Sequence, residues 1–459
     1  MLVHLRGLCR NVIGISVCLF FSCFFSCALA GETSSQAGRA HSDEIVIGIS
    51  LPLSGAFESY GQSALAGALA RFRVQNARGG INGKTIRPVV RDNESNAAVT
   101  RVDFDAFTKD PDTRVAALLG PLMSGPAAVI GDNAHERQVI AISPNAPLDM
   151  YEDGGKERWV FRLGMNADSQ ARAMSRFQVE SYGAAKVGII VDARYVASVK
   201  IGDLFSEAFV ADGGKVVARA VIQSGGFTAG HGDVRLAGSA GNLAGEVARV
   251  AGGWPEAVSL ADALAIMDKA EPEFLYLPFY AQQIIQLAHS IGDYSGLDHV
   301  RLAGPDFWDN EMVFDGSGKR ILTSSFTSSM FDDHFDYKPY LDFLVDIREA
   351  GIDIPDAMSA SAYDAVTLII DALTKCGDDA AAARKYLASI RRYPLATGRT
   401  SFLPNGGAVK PVMLRIIGNL NGWAKDLFLC RNAIPKFPPR HTRQAGQSRQ
   451  QRLPAIAGS

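Results

Sequence analysis

The chain has 459 residues, with 46 Lys and Arg against 48 Asp and Glu, a formal net charge of −2, and 47% hydrophobic residues. Charged residues make up only 20%, and 45 Gly and 20 Pro are ordinary numbers for this length, which excludes a disordered chain, a coiled coil and a collagen-like fibre. Balanced charge offers no field for gathering nucleic acid or anionic lipid, and at about 150 residues per domain the length suggests two or three domains, each able to bury a core.

Residues 1–30 read as an export signal. Arg6 and Arg10 supply a positive start, Asn11 to Cys27 is apolar, and Ala28-Leu29-Ala30 gives a small-x-small cleavage pattern before Gly31. Two alternatives are a membrane anchor, because the apolar run approaches a spanning length, and lipidation at Cys27, for which Phe24-Phe25-Ser26 is a poor signal. A polar linker, residues 31–43, comes next, and no later run is long and apolar enough to span, so a soluble mature protein is expected. Four of the six cysteines fall before residue 28, leaving Cys376 and Cys430, which could pair in an oxidising compartment.

The rest of the chain alternates strand and helix. Ile45 to Leu51 is a short apolar run ending at Pro52 and Ser54-Gly55, and predicts a buried strand. Helical spacing follows from Gly61 to Asn76, stopped by Gly79-Gly80. Then come strand Ile86 to Val90, helix Ala97 to Thr108, strand Val115 to Leu119, helix Gly125 to Arg137 and strand Val139 to Ser143. A second series runs through helix Ser169 to Tyr182, strand Val187 to Val191, helix Ile201 to Ala211 and strand Lys215 to Ile222. It continues with helix Pro255 to Lys269, strand Phe274 to Leu277, helix Ala281 to Ile291 and strand Val300 to Ala303. This rhythm argues for an α/β fold with parallel sheets and helices on both faces, built twice. Ligands then bind beyond the carboxyl ends of the strands. Gly225 to Gly253 is a Gly/Ala/Ser-rich excursion, and 433–459 is a basic tail expected to be disordered.

No catalytic constellation is present. His135-Glu136 lacks a second His at zinc-motif spacing, there is no Cys-x-x-Cys, and the nucleophile-elbow, phosphate-loop and dinucleotide-loop patterns are all missing. Neither an enzyme nor a metal or cofactor is expected. The informative feature is Gly120-Pro121-Leu122-Met123-Ser124-Gly125-Pro126, which follows a strand. Ser124 suits an N-cap with Pro126 in the first turn, an arrangement whose free N–H groups and hydroxyl suit a carboxylate. Ser143-Pro144-Asn145-Ala146-Pro147 ends the next strand.

Several runs in order then carry a resemblance: Ile45-Val46-Ile47-Gly48, Leu53-Ser54-Gly55, Tyr60-Gly61, Asn76 to Lys84, Gly120-Pro121 with Ser124-Gly125, Ile142-Ser143-Pro144, Gly304-Pro305-Asp306, and Gly398 to Gly406. Over about residues 44–420 the chain resembles the periplasmic substrate-binding proteins of ABC importers, in the leucine/isoleucine/valine (hydrophobic amino acid) branch. The resemblance implies two Rossmann-like lobes joined by three crossover segments, near Leu163 to Asn166, Thr327 to Phe331 and Thr397 to Phe402. Lobe 1 would be 44–163 plus 330–397, and lobe 2 would be 164–329 plus 398–432.

It also implies a ligand site. Ser124, with Gly125, would hold a carboxylate; the Asn145 carbonyl, beside Ala146, and the Asp306 carboxylate would take an ammonium group; Tyr60 and a second-lobe aromatic, Tyr195, would cover the side chain. Pro147 stands where the family has a Thr, Tyr195 aligns only with a gap, and the Gly225 to Lys269 stretch is long. The ligand therefore stays open between a hydrophobic amino acid and an aromatic or aliphatic acid. The implied role is capture of a small-molecule solute in the periplasm, as a monomer, for an inner-membrane permease. A ligand-sensing receptor of the same fold is the alternative.

Overall fold

The computed structural model describes residues 44–109, 114–149, 157–223, 254–309, Val313, 325–330, 337–351, 355–417 and 423–430. The expected signal peptide, the linker, the Gly-rich excursion and the basic tail lie outside these residues. All described residues belong to one compact unit, Asp43–Ser459.

That unit is built on two eight-stranded sheets. The first has the order β12-β13-β14-β5-β4-β3-β1-β2. Its members are β1 (Glu44–Leu51), β2 (Thr85–Asp92), β3 (Ala117–Leu119), β4 (Ile140–Ser143), β5 (Val160–Met165), β12 (Tyr393–Leu395), β13 (Gly398–Phe402) and β14 (Gly407–Val409). The second has the order β16-β15-β11-β10-β9-β6-β7-β8. It contains β6 (Lys186–Asp192), β7 (Lys215–Ile222), β8 (Ala257–Val258), β9 (Phe274–Tyr276), β10 (Arg301–Gly304), β11 (Phe326–Ser329), β15 (Val412–Ile417) and β16 (Trp423–Cys430). The strands from β1 to β5 pair in parallel, as do those from β6 to β11, while β15 pairs antiparallel with β11. Each central strand is an apolar run buried along most of its length, as expected when helices cover both faces of a sheet.

Helices α1 (Glu58–Ala77), α2 (Ala97–Lys109), α3 (Ser124–Ala128), α4 (Gly131–Arg137), α5 (Ala167–Tyr182), α6 (Val196–Ala211), α7 (Leu260–Ala270), α8 (Ala281–Ser290), α9 (Lys338–Glu349), α10 (Ala357–Cys376) and α11 (Ala380–Ser389) complete the layers. Their ends follow ordinary capping chemistry. The Asn166 side chain accepts from the Asp168 and Ser169 amides to start α5, and Asp356 and Ser359 form a reciprocal capping box on α10. Cys376, the last residue of α10, is a free thiol.

Three expectations need correction. The helix expected over 125–137 breaks into α3 and α4 at Val129-Ile130, and Ser124 is its first helical residue, with Met123 in the cap position. The helix expected from Pro255 begins only at Leu260, because β8 occupies 257–258 and Ser259 caps the helix by accepting from the Asp262 amide. The third crossing does not fall at 397–402: β13 and β14 pair within the first sheet, β14 alongside β5, so the chain passes to the second sheet at Lys410-Pro411.

In each sheet one strand has neighbours reached in opposite directions. β1 pairs with both β2 and β3, and β6 pairs with both β7 and β9. Such switch points open a crevice at the strands' carboxyl ends, where loops carry the chemistry.

Candidate functional site

The loops at these carboxyl ends bring together residues from both lobes. After β1 the chain turns into α1, and Tyr60 lies in its first turn. Gly61 cannot carry a side chain, since a Cβ there would sit 1.8 Å from the Pro52 carbonyl oxygen. This close approach anchors the start of α1 against the β1 loop and aims Tyr60 across the interlobe gap. Its hydroxyl donates to the Phe307 carbonyl oxygen (2.6 Å) and accepts from the Ala281 amide (2.9 Å), both in the second lobe. Burial pushes the phenol well above its ordinary value, so Tyr60 is neutral and can fill both roles.

Aromatic rings meet around this bridge. Phe57 of the first lobe lies 5.6 Å from Tyr195 and 4.5 Å from Tyr280, and Tyr280 stacks on Phe307 at 4.3 Å. Tyr195 stands just before α6 and Tyr280 just before α8, each at a strand's carboxyl end. Tyr195 is further fixed by the Arg194 guanidinium over its ring at 5.2 Å, which in turn is paired with buried Asp192 at 2.6 Å. Phe57, Tyr280 and Phe307 were not expected from the sequence. The signal for Tyr280 was available: it follows β9 as Tyr195 follows β6.

In the first lobe, Ser124 is buried, and its Oγ accepts from the Leu148 amide at 3.3 Å. Among the described residues its hydroxyl proton has no acceptor. Because α3 is only five residues long, a helix dipole contributes little; individual donors must hold any anion. Gly125 follows with open space at its Cβ position. The Asn145 carbonyl, expected to face a ligand ammonium, accepts instead from the Gly164 amide at 3.0 Å, although a carbonyl can accept a second hydrogen bond. The Asn145 Oδ1 atom is buried without a partner. Ala146 is fully buried in a left-handed conformation (φ 51°), its amide donating to Leu122 at 2.9 Å.

In the second lobe, Asp306 follows β10 and is fully buried. Its amide donates to Gln170 Oε1 at 3.0 Å, but neither carboxylate oxygen has a hydrogen-bond partner. Burial pushes this carboxyl up to about 7, opposed by the neighbouring Gln170 amide and by Lys410, and reinforced by Asp309. Tyr60, Tyr276 and Tyr280 all lie within its electrostatic reach. Among the described residues no group of His, Cys, Asp or Glu could hold a metal ion, and no helix is long and apolar enough to cross a membrane. Neutral hydroxyls, aromatic faces and an unsatisfied carboxylate meet here between the lobes, a set suited to binding a small polar–apolar molecule.

Known proteins resemble this chain to different extents. Leu/Ile/Val-binding protein homolog 2 of Brucella abortus is 27% identical over 167 residues, a match spanning 36% of this chain and only 42% of that relative. Leu/Ile/Val-binding protein BraC3 of Rhizobium johnstonii is 24% identical over 382 residues, covering 81% of this chain and 90% of its own. Among solved structures, the branched-chain amino acid transporter substrate-binding protein LivJ of Streptococcus pneumoniae, in complex with isoleucine, superposes with a TM-score of 0.69 at 22% identity, over 84% of this chain and 99% of that one. An ABC transporter solute-binding protein of R. palustris in complex with benzoate has a TM-score of 0.65 at 20% identity, over 84% and 95%. Two α/β sheets whose switch-point loops meet, and a family match running through residues 44–415, place the chain among the periplasmic binding proteins.

Proposed function

We propose that this protein is the extracytoplasmic solute-binding component of an ABC importer. It captures a small carboxylate-bearing solute between its lobes and presents it, as a monomer in the periplasm, to an inner-membrane permease. The observation that carries the reading is the bridge made by Tyr60 to Phe307 and Ala281, beside an Asp306 carboxylate that is buried with both oxygens unbonded. Such a group is costly to maintain unless a partner arrives. Closure around a ligand that touches both lobes is a population shift, in proportion to the ligand's preference for the closed form. In this reading the Ser124 hydroxyl and Gly125 amide hold the carboxylate, the aromatic rings of Tyr60, Tyr195 and Tyr280 cover the apolar part, and Asp306 faces an amine where the ligand has one. The isoleucine bound to LivJ and the benzoate bound to the R. palustris protein mark the two ligand classes to try.

The test is a thermal-shift screen of hydrophobic amino acids and of aromatic and aliphatic acids, since a ligand that binds only the folded state raises its melting temperature. Calorimetry on Ser124→Ala and Asp306→Asn follows. For an amino acid, losing the Asp306 charge should cost about 3–5 kcal/mol, roughly 10²–10³ in affinity, and Ser124→Ala about 1–3 kcal/mol. For an acid without an amine the order reverses. A protein stabilised by no member of either class would defeat the reading.

A further inference from the structure

The turn from Pro305 to Asp309, which follows β10 and carries Asp306, is bonded to residues beside all three passages of the chain between the sheets. Gln170 stands on α5, shortly after Met165 ends β5 and the chain leaves the first sheet. Its Oε1 accepts from the Asp306 amide at 3.0 Å and from the Ser328 hydroxyl at 2.6 Å, and its Nε2 donates to the Met165 carbonyl oxygen at 3.0 Å. Ser328 belongs to β11, the last strand of the second sheet before the chain returns to the first. From the same strand the Thr327 hydroxyl donates to the Pro305 carbonyl oxygen at 2.7 Å, and the Ser329 hydroxyl donates to Asp309. From β15, the first strand after the third passage, Arg415 pairs with Asp309 at 3.6 Å.

Gln170 is the one side chain here that joins two passages to the Asp306 turn, and it is only 1% exposed. The contacts demand an acceptor toward Asp306 and Ser328 and a donor toward Met165, which a primary amide supplies from one planar group. The reverse orientation would set N–H against N–H at Asp306 and oxygen against oxygen at Met165. A carboxylate lacks the donor. An apolar side chain would take a buried partner from both the Asp306 amide and the Met165 carbonyl. These bonds hold the backbone of Asp306 and leave both carboxylate oxygens without a partner, so the carboxylate stands where the turn puts it.

We infer that Gln170 is a positioning residue: it ties the Asp306 turn to the first and second passages, so that the geometry of the hinge sets the place of the Asp306 carboxylate and, given the solute-binding role proposed above, the discrimination between a solute that bears an amine and one that lacks it. A group that recognises a ligand must itself be held by a supporting shell of hydrogen bonds. A fixed carboxylate binds an ammonium group at one place at little ordering cost and repels an anion there. A loosened one gives up the first property and can turn away from the second.

The experiment has a ligand-free arm and a ligand arm. Hydrogen–deuterium exchange, read by mass spectrometry, compares the wild type with Gln170→Met and Gln178→Met. Gln178 is the control, a fully buried glutamine on the same helix whose Nε2 contacts Met174 Sδ at 3.7 Å. Gln170→Met should speed exchange over residues 304–309 by about tenfold or more while β6 keeps its rate, and Gln178→Met should leave 304–309 as it is. A wild-type rate over 304–309 in Gln170→Met, or a rise spread equally through the second lobe, would overturn the inference. Should Gln170→Met fail to fold, Ser328→Ala removes one of the two bonds to the same oxygen; a smaller local rise is then expected, and none would count against the tie. Calorimetry then uses leucine and 4-methylpentanoate, which differ by the amine. Gln170→Met should weaken leucine by about tenfold or more without weakening 4-methylpentanoate, and its effect on leucine should shrink below about threefold in the Asp306→Asn background. Equal weakening of both ligands, or equal effects in both backgrounds, would leave Gln170 a structural residue; where only one ligand binds, its own result decides. If neither binds the wild type, the solute-binding reading fails for these two ligands, and the exchange arm still decides whether Gln170 holds the Asp306 turn.

Discussion

The Tyr60 hydroxyl in the first lobe donates to the Phe307 carbonyl oxygen in the second, 2.6 Å away and 247 positions along the chain. The same hydroxyl accepts from the Ala281 amide. A neutral phenol that donates to one group and accepts from another of the opposite lobe is a clasp, and it is in place when the lobes are together. Phe57, Tyr280 and Phe307 pack around it, so the contact between the lobes buries aromatic surface from both sides. Gly61 lets α1 start close to Pro52, and that placement allows Tyr60 to reach the second lobe.

Tyr60→Phe should weaken closure without disturbing either lobe. The ring and its packing remain, but the Ala281 amide and the Phe307 carbonyl lose a buried partner. One unsatisfied buried group costs about 1–3 kcal/mol, so ligand affinity should fall by roughly 5–150-fold at 1.4 kcal/mol per decade. The melting temperature of the ligand-free protein should change far less than the ligand-induced shift. Calorimetry with any ligand found in the screen is the check, and an unchanged dissociation constant would show that the clasp is incidental to binding.

Much of the architecture was legible because it is written locally. Lys215–Ile222 is strand by its β-branched run and observed with those bounds, and the Gly120 to Gly125 and Ser143 to Ala146 loops announce themselves by glycine, proline and hydroxyl residues after apolar runs. What was not legible depends on distant partners. The broken helix at Val129-Ile130 has good helical periodicity on both sides, so periodicity alone could not divide it. Ser124 looked like a cap because hydroxyls usually are; here the Leu148 amide, 24 residues on, claims its oxygen. Nothing local marks Phe57 or Phe307, and only the juxtaposition of the lobes brings their rings against Tyr280.

Gly120→Ala tests the first ligand loop. Gly120 has φ +101°, and a Cβ there would lie 2.1 Å from the Ser50 carbonyl oxygen, far inside contact distance. The alanine variant must therefore shift either the end of β1 or the loop that carries Ser124. Backbone strain of this kind costs about 1–3 kcal/mol, and displacement of Ser124 should add a loss of ligand affinity. Chemical denaturation gives the first quantity and calorimetry the second. Wild-type stability in the variant would mean that the loop relaxes freely.

Asp364→Ala should be among the most destabilising single changes in the first lobe. Three hydrogen bonds converge on this buried carboxylate, from the Ala396 and Thr397 amides and the Thr397 hydroxyl, and Lys410 lies beyond. Removing one member of a buried charge network costs about 3–5 kcal/mol, since the others are left unpaired. The asparagine variant should recover part of that loss, because its side-chain oxygen can still accept from an amide. Urea unfolding of the two variants measures the difference, and equal stability of Asp364→Ala and wild type would contradict the network.

Burial holds the Asp306 carboxyl at about 7 in the folded protein, whereas an aspartate in an unfolded chain titrates near 3.9. Between those values the folded state keeps a proton that the unfolded state has released. Stability therefore falls as pH rises through this window, and the full penalty is present above about pH 7. Asp306→Asn removes the titrating group, so its melting temperature should decline less between pH 5 and pH 8 than that of the wild type, with the two curves diverging toward neutral pH. Asp103, which burial pushes up to about 6, contributes with the same sign in both proteins and cancels from the difference. Lys410, lowered to about 8 by burial, has the opposite sense: its contribution is lost as pH falls from the ordinary lysine range toward 8, so it acts mainly above this window. The Tyr60, Tyr276 and Tyr280 hydroxyls, raised by burial, stay protonated throughout. Melting curves for the two ligand-free proteins at half-unit steps of pH decide the matter, and parallel curves would mean that Asp306 is ionised and fully compensated across the range.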